Sequence, residues 1–323
     1  NGTAGINTQY AFQNLGGRMR YMHSNRYIAE FGFAYSGSDN YAKGNRFGFF
    51  PTISAAWVLS QEAFLQNNGA IDLLKIRASA GKSGYDNFQG GRYLYQLYYA
   101  YSGNYATGND APTWQGGLGP AYTPNPAIFA EQSTKYNIGV DTRLFGTLDI
   151  TADAFLDKRS GIVTPDNSLL AVLGAPPPHM NIGKVTNRGA EVSARFAKTH
   201  ERWGYWLGGM AAFNHNRIDY MAEVAPVTPL ASQTGRPIAS YFGYQADGFY
   251  DVADFDANGN LVAGRPVPSF GAVQAGDIRY RDVNGDNRID EQDMVAIGDT
   301  FMPRITYAVS GGGDFGGLDV QVL

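Results

Sequence analysis

The sequence predicts an all-β protein, an antiparallel transmembrane β-barrel segment with long extracellular loops. Three observations lead there. Stretch after stretch alternates apolar and polar residues with a period of two. Several of these runs are about 9–11 residues long, the length a tilted strand needs to cross a bilayer. The connections between runs are either very short or very long, which is how outer-membrane barrels are organised. Composition agrees: 41 of 323 residues are Gly, aromatics reach 14%, and charged residues are only 17%, against roughly 25% in an average soluble domain. No apolar run approaches the ~18 residues of a transmembrane helix, but a barrel strand needs only every second residue to be apolar.

Nine runs carry the alternation, close to ten strands. They are Tyr27–Tyr35, Ile53–Leu59, "LKIRASAGK" (74–82), "KYNIGVDTRLF" (135–145), "ITADAFLDK" (150–158), "AEVSARF" (190–196), Trp206–Asn214, Ile305–Val309 and Leu318–Val322. In the fourth, Tyr136, Ile138, Val140, Thr142 and Leu144 fall on one side, and Lys135, Asn137, Gly139, Asp141 and Arg143 on the other. The apolar sides are expected to face lipid. Asp141, Arg143, Asp153, Glu191 and Arg195 are expected to face the lumen, with Val140 intolerant of charge and Asn137 indifferent to a Lys. "FGT" (145–147) is a tight turn, whereas 85–130 and 221–303 are long loops. Read from pattern alone, a soluble β-sandwich with decorated loops stays open as an alternative.

Several chemistries are excluded or unsupported. There is no Cys, hence no disulfide framework and no thiol chemistry. The net charge of −4 comes without basic clusters, which argues against nucleic acid. His23, His179, His200 and His215 are scattered, without H-E-x-x-H spacing, and G-x-S-x-G is absent. Gly311, Gly313 and Gly316 spell G-x-G-x-x-G, but with no helix after them the nucleotide-binding context is missing. No enzyme is expected.

The strongest local motif is "DVNGDNRIDEQD". Asp282, Asn284, Asp286, Arg288, Asp290 and Asp293 occupy positions 1, 3, 5, 7, 9 and 12 of an EF-hand-like loop. Those are the positions from which oxygen ligands reach Ca²⁺, Arg288 through its backbone carbonyl. Two departures stand out: Asn287 replaces the usual Gly at position 6, and Asp293 is shorter than the usual Glu. The alternative is an Asx-rich turn without metal. If the ion binds, it is a structural staple with no flanking helices, needing only a helical turn at 291–294. The 221–303 loop is then expected to hold its shape without a core. "DFDANGN" (254–260) reads as a two-residue Asn-Gly hairpin turn. Tyr98, Tyr99 and Trp114, in the Tyr-dense stretch 93–117, are candidates for stacking on a sugar or peptide, with a self-packed loop as the plainer reading.

Five stretches, in order, resemble the SusC/RagA family of TonB-dependent outer-membrane transporters. They are "RYIAEFGFAYSGSDNYAKGNRFGFFPTISAAWVLSQEAFL", with its G.FP..S..W..S.E.F pattern, and "EQSTKYNIGVDTRLFGTLDITADAFLDKRSGIV". "NIGKVTNRGAEVSARF" follows with N.G...N.G.E, and then "GRPIASYFGYQADGFYD" and "GDIRYRDVNGDNRIDEQDMVAIGDTFMPRITYAVSGG". The resemblance implies that residues 1–323 are part of a larger barrel of roughly 22 strands with a plugged lumen. It implies residence in the bacterial outer membrane, import of oligosaccharides or peptides, energy from the TonB complex acting on a plug, and a SusD-like surface lipoprotein as lid. The plug and the final strands are expected to lie outside this sequence, because an open sheet leaves unpaired edges in lipid. Rival readings are a passive outer-membrane porin and a secreted, calcium-stabilised carbohydrate-binding β-protein.

Overall fold

Ten strands form one antiparallel sheet in which nearly every neighbour in space is the neighbour in sequence. The computed structural model describes residues 10–66, 68–86, 91–108, 111, 113–168, 176–224 and 229–323. The wall strands are β1 (Phe12–His23), β2 (Tyr27–Ser38), β3 (Phe47–Val58), β4 (Ile71–Tyr85), β7 (Glu131–Leu144), β8 (Leu148–Pro165), β9 (His179–Thr199), β10 (Trp203–Tyr220), β17 (Ile305–Phe315) and β18 (Leu318–Val322). The order is β1-β2-β3-β4-β7-β8-β9-β10-β17-β18, so among the described residues β1 and β18 each pair on one side only. The remaining strands lie within the long connections. β5 (Tyr99–Thr107) pairs with β6 (Thr113–Pro120), β11 (Ser240–Gly243) with β16 (Val295–Thr300), β12 (Ala246–Phe249) with β14 (Ile278–Tyr280), and β13 (Val267–Pro268) with β15 (Arg288–Ile289).

In such a meander, successive connections alternate between the two ends of the sheet. The turns 24–25, 59–70, 145–147, 200–202 and 316–317 fall at one end. The connections 39–46, 86–130, 166–178 and 221–304 fall at the other. The short turns have the chemistry hairpins require. Ser24 and Asn25 (φ 50 and 56) and Phe145 and Gly146 (φ 53 and 65) take the positive φ pair of a type I′ turn. Arg26 N–H and Thr147 N–H donate to the His23 and Leu144 carbonyls at 2.9 and 3.1 Å, closing the two turns. The long-loop end is the extracellular one in outer-membrane barrels.

The apolar face of the sheet is no core. Ile138 is 57% exposed, Leu207 59% and Tyr307 77%. A soluble sandwich would bury this face against a second sheet; a membrane barrel presents it to lipid. The buried hydrophobic cluster sits instead at the long-loop end, where Tyr41, Leu94 and Ile128 pack together with Tyr122, Ala130 and Val163 around them.

β1 lies outside the nine alternating runs. Its alternation is real, with Leu15, Met19 and Tyr21 on one side and Arg18 and Arg20 on the other. Gly16 and Gly17 at its centre blank out both faces and hide the period. "DFDANGN" forms a three-residue turn rather than a two-residue one. Asp256 pairs with Asn260, Gly259 takes φ 81, and the Asp256 carboxylate accepts from the Asn258 and Asn260 N–H groups.

Candidate functional site

The lumenal face is built around Arg77 on β4. Its guanidinium meets Asp153 on β8 in a two-pronged pair of 2.7 and 2.6 Å, and its Nε reaches Asp141 on β7 at 3.2 Å. Lys75 donates to the same Asp141 at 3.1 Å, and Arg77 Nη1 reaches Asn137 Oδ1 at 3.2 Å. The register explains the convergence: Arg77 and Asp153 both stand opposite Gly139 of the strand between them. A Cβ on Gly139 would lie 2.6 Å from Asp153 Oδ1 and 2.7 Å from Arg77 Cζ, so only Gly lets the pair close over β7. Planar, two-pronged Arg–carboxylate contacts are stronger and more directional than single ones. The belt ties three strands across the face where the ladder alone would leave charges bare. Asn137 is part of it, so a Lys there would face a guanidinium and is not indifferent. Further along the same face, Arg143 pairs with Asp149 at 2.6 Å, and Arg195 stacks over Trp206 at 4.6 Å.

At the short-turn end, Glu62 gathers Tyr27 Oη (2.7 Å), Trp57 Nε1 (2.9 Å) and Arg26 Nη1 (3.4 Å). The Tyr27 hydrogen bond first, then Trp57 and Arg26, hold its carboxyl below the ordinary carboxylate range. This is the physical content of the W..S.E motif: aromatic bodies lie at the membrane interface, with their polar tips collected by one acid.

At the long-loop end, Glu131 is nearly fully buried and accepts from Arg159 Nη2 (2.6 Å) and Val163 N–H (3.0 Å), beside a register shift in β8. Asn181, first residue of the N.G...N.G.E motif, donates to the Phe129 and Gly161 carbonyls and accepts from Phe129 N–H. Sequence reasoning missed Arg77, Glu62, Glu131 and Asn181 as organisers. Only Glu62 and Asn181 carried a signal, as fixed letters of the family patterns.

Of the three aromatic candidates, two share a face. In the β5–β6 hairpin, Tyr99 stands opposite Pro120 and Tyr101 opposite Leu118, the same side of β6 that carries Trp114. Tyr99, Tyr101, Trp114 and Leu118 are all well exposed there. Tyr98 points the other way and packs its ring 6.1 Å from Tyr122.

The 221–304 connection folds on itself. It has a small core after all: Tyr250, Ile289 and Val295 are buried, and Tyr244, Phe270 and Tyr280 form an aromatic trio with centroids 5.3–5.9 Å apart. Asp251 caps the turn 252–254, and Asp254 accepts from the Asp251 N–H and pairs with Arg265 at 2.5 Å. The Asp251 N–H first, with Arg265 and Arg279 adding to it, holds the Asp254 carboxyl low against a burial that pushes it up. In the EF-hand-like stretch, Asp282 accepts from the N–H groups of Gly285 (2.6 Å) and Asn287 (2.8 Å), and Asn284 from Asp286 N–H (3.0 Å). Asp286 accepts from Arg288 N–H (2.8 Å), and Asp290 from Gln292 N–H (2.9 Å). Asp293 is fully buried and accepts from the N–H groups of Val283 (2.7 Å) and Asp290 (2.9 Å). Asn287 takes φ 62, filling the position where Gly is usual, and a 3₁₀ turn covers 291–293. Among the described residues no three acidic or imidazole side chains converge on one point. Each oxygen that accepts one N–H keeps a second lone pair, so the side-chain chemistry still suits a hard cation.

Residues 3–300 match the family model described as TonB dependent receptor-like, beta-barrel. The chain is 27% identical to TonB-dependent receptor P3 of Formosa agariphila over 88% of its length, and 28% identical to TonB-dependent receptor SusC of Bacteroides thetaiotaomicron over 84%. It spans 28% of the length of either relative. The structure of the RagAB peptide transporter superposes with a TM-score of 0.70 at 18% identity, over 97% of this chain and 33% of that one. The chain belongs to the TonB-dependent receptor β-barrel family, and its ten strands are part of an outer-membrane barrel wall.

Proposed function

We propose that this chain forms part of the wall and extracellular mouth of a SusC-like importer, which moves oligosaccharides or peptides across the outer membrane with energy from TonB. The observation that carries the reading is the family match over residues 3–300 on a sheet with one lipid-facing and one charge-lined face. The likeness to SusC and the fold shared with a peptide transporter support an energy-coupled importer over a passive pore. The chain's part is binding, gating and passage, with no covalent step. A SusD-like lipoprotein would sit over the long-loop end. There the 221–304 connection exposes Tyr241 beside Phe301 and Phe249 opposite Ile278, apolar pairs of the kind a lid would cover. The aromatic face of β5–β6 would stack on sugar rings or peptide side chains as they enter. The loop 282–293 would hold a calcium ion through Asp282, Asn284, Asp286, the Arg288 carbonyl, Asp290 and Asp293, as a brace for the mouth.

The test is uptake of labelled oligosaccharides and oligopeptides by cells carrying the intact transporter, with and without TonB. Accumulation of one class that disappears without TonB is expected. Uptake that persists unchanged without TonB would make the barrel a passive pore.

A further inference from the structure

The lipid-facing side of the wall carries a feature that import does not use. Where β7, β8, β9 and β10 run together, the outer face sinks into an apolar trough of about 630 Å³. Ala152, Ala154 and Ala190 form its floor, and Ile138, Val140 and Phe213 stand around it. The trough is shallow and opens broadly to the lipid.

Register sets a row of cations directly above it. Ala154, Ala190 and Phe213 are paired across β8, β9 and β10, and two residues higher the row is Leu156, Arg188 and His215. Two higher again it is Lys158, Thr186 and Arg217, all on the same face. Lys184 follows on β9. Lys158, Lys184, Arg188 and Arg217 are exposed. Asp219 shares this face: it pairs with Arg217 at 2.8 Å, accepts from Thr186 and lies close enough to Lys158 to attract it, whereas Lys184 and Arg188 make no ion pair among the described residues.

Height in the membrane decides what these cations meet. Lys158 stands ten residues beyond the start of β8 at Leu148, and Arg188 eleven residues before β9 ends at Thr199. A tilted strand crosses the hydrocarbon in about 9–11 residues. The trough therefore lies near the middle of the hydrocarbon, within reach of an acyl chain, and the cations stand toward the headgroup level of the outer leaflet. One acid, Asp219, serves Arg217 and Lys158, so Lys184 and Arg188 would find their anions in the headgroups.

We propose that this face is a docking site for an acyl lipid with an anionic, phosphate-bearing headgroup from the outer leaflet. One chain lies in the alanine-floored trough, and the phosphate is held by Lys158 and Arg188, with Lys184 and Arg217 beside them. Charge complementarity selects the headgroup and the trough selects a chain. The site depends on the barrel standing in the outer membrane and not on what the transporter imports.

Native mass spectrometry of the intact transporter tests it, with monophosphoryl lipid A and zwitterionic phosphatidylcholine as probes. Wild type should retain lipid A in preference. Lys158→Glu with Arg188→Glu should lower that retention roughly tenfold or more, the scale of losing one charge-assisted hydrogen bond. Lys198→Glu, on the same face of β9 at the short-turn end, should leave it unchanged. Ala190→Trp fills the trough without altering charge and should weaken retention too, which keeps the test sound if the double variant misfolds. Equal retention of the two lipids, or of lipid A by all variants, would overturn the proposal. So would displacement by millimolar inorganic phosphate, which would mark a bare anion site.

Discussion

The wall and the 221–304 connection both depend on carboxylates and use them in opposite ways. In the wall, Asp141 and Asp153 meet cationic side chains, Lys75 and Arg77. In the connection, Asp256, Asp282, Asp286, Asp290 and Asp293 accept mostly from backbone N–H groups. The difference follows from what the ladder supplies. Long paired strands satisfy their own backbone, so side chains on the lumenal face are left to pair with one another. The connection has only strands of two to six residues, and its backbone donors need acceptors from somewhere else. Short acidic and amide side chains reaching their own turns are the cheapest source.

The comparison breaks most visibly with a charge on the wrong side of the wall. Arg at Val140 would sit on the lipid face and should cost about 2–4 kcal/mol if near the midplane. Lys at Thr151, lumenal and opposite Asp141, should stay within about 0.5 kcal/mol of wild type. Urea titration of the intact barrel, read by its heat-modifiable band, checks both. Equal costs at the two positions would mean that the sheet is not in lipid, and a larger cost at Thr151 that the faces are assigned the wrong way. Neither change should alter protection of the 221–304 connection.

The second break runs the other way. Asp293→Ala leaves the partly buried N–H groups of Val283 and Asp290 without their acceptor, a loss of about 1 kcal/mol or more. Hydrogen exchange should speed up across 282–293, and protease should cut within 221–304, while the wall strands keep their protection. Loss of protection in wall and connection together would show that they fold as one unit.

The two regions also differ in how much the sequence discloses. Period-two alternation reports directly on a sheet with one face in lipid, so most wall strands, the tight turn at 145–147 and the long connections are readable without a structure. β1 escapes because Gly16 and Gly17 have no side chains with which to alternate. The Arg77 belt escapes for another reason: Arg77, Asp141 and Asp153 lie on three strands, and only the register over Gly139 brings them together. In the connection, the carboxylate spacing is plain, but spacing does not say whether an oxygen turns to an ion or to its own backbone. The small core around Ile289 is invisible too, since Tyr250, Ile289 and Val295 follow no period. Tyr98 and Tyr99, adjacent in sequence, end on opposite sides of a hairpin for the same reason that alternation works elsewhere.

The smallest effect concerns the ion itself. The turns of 282–293 are closed by hydrogen bonds at 2.6–3.0 Å to the same side-chain oxygens that would hold an ion. It would add stability by mass action, RT ln(1 + [Ca²⁺]/Kd), to the folded loop alone. With the affinity of extracellular modules, on the order of 10⁻⁴–10⁻³ M, a few millimolar calcium contributes about 1–2 kcal/mol. Calcium should therefore slow hydrogen exchange at 282–293 several-fold and leave the wall unchanged, with magnesium at equal concentration doing less. Asp282→Ala with Asp286→Ala should abolish the response and loosen the loop even in chelator, because the same oxygens cap Gly285, Asn287 and Arg288. Asn287→Gly separates the two roles: it keeps every side-chain ligand and suits the left-handed backbone there, so the calcium response should persist. Exchange at 282–293 that is indifferent to calcium in wild type would leave the acidic side chains with a single task, capping their own turns.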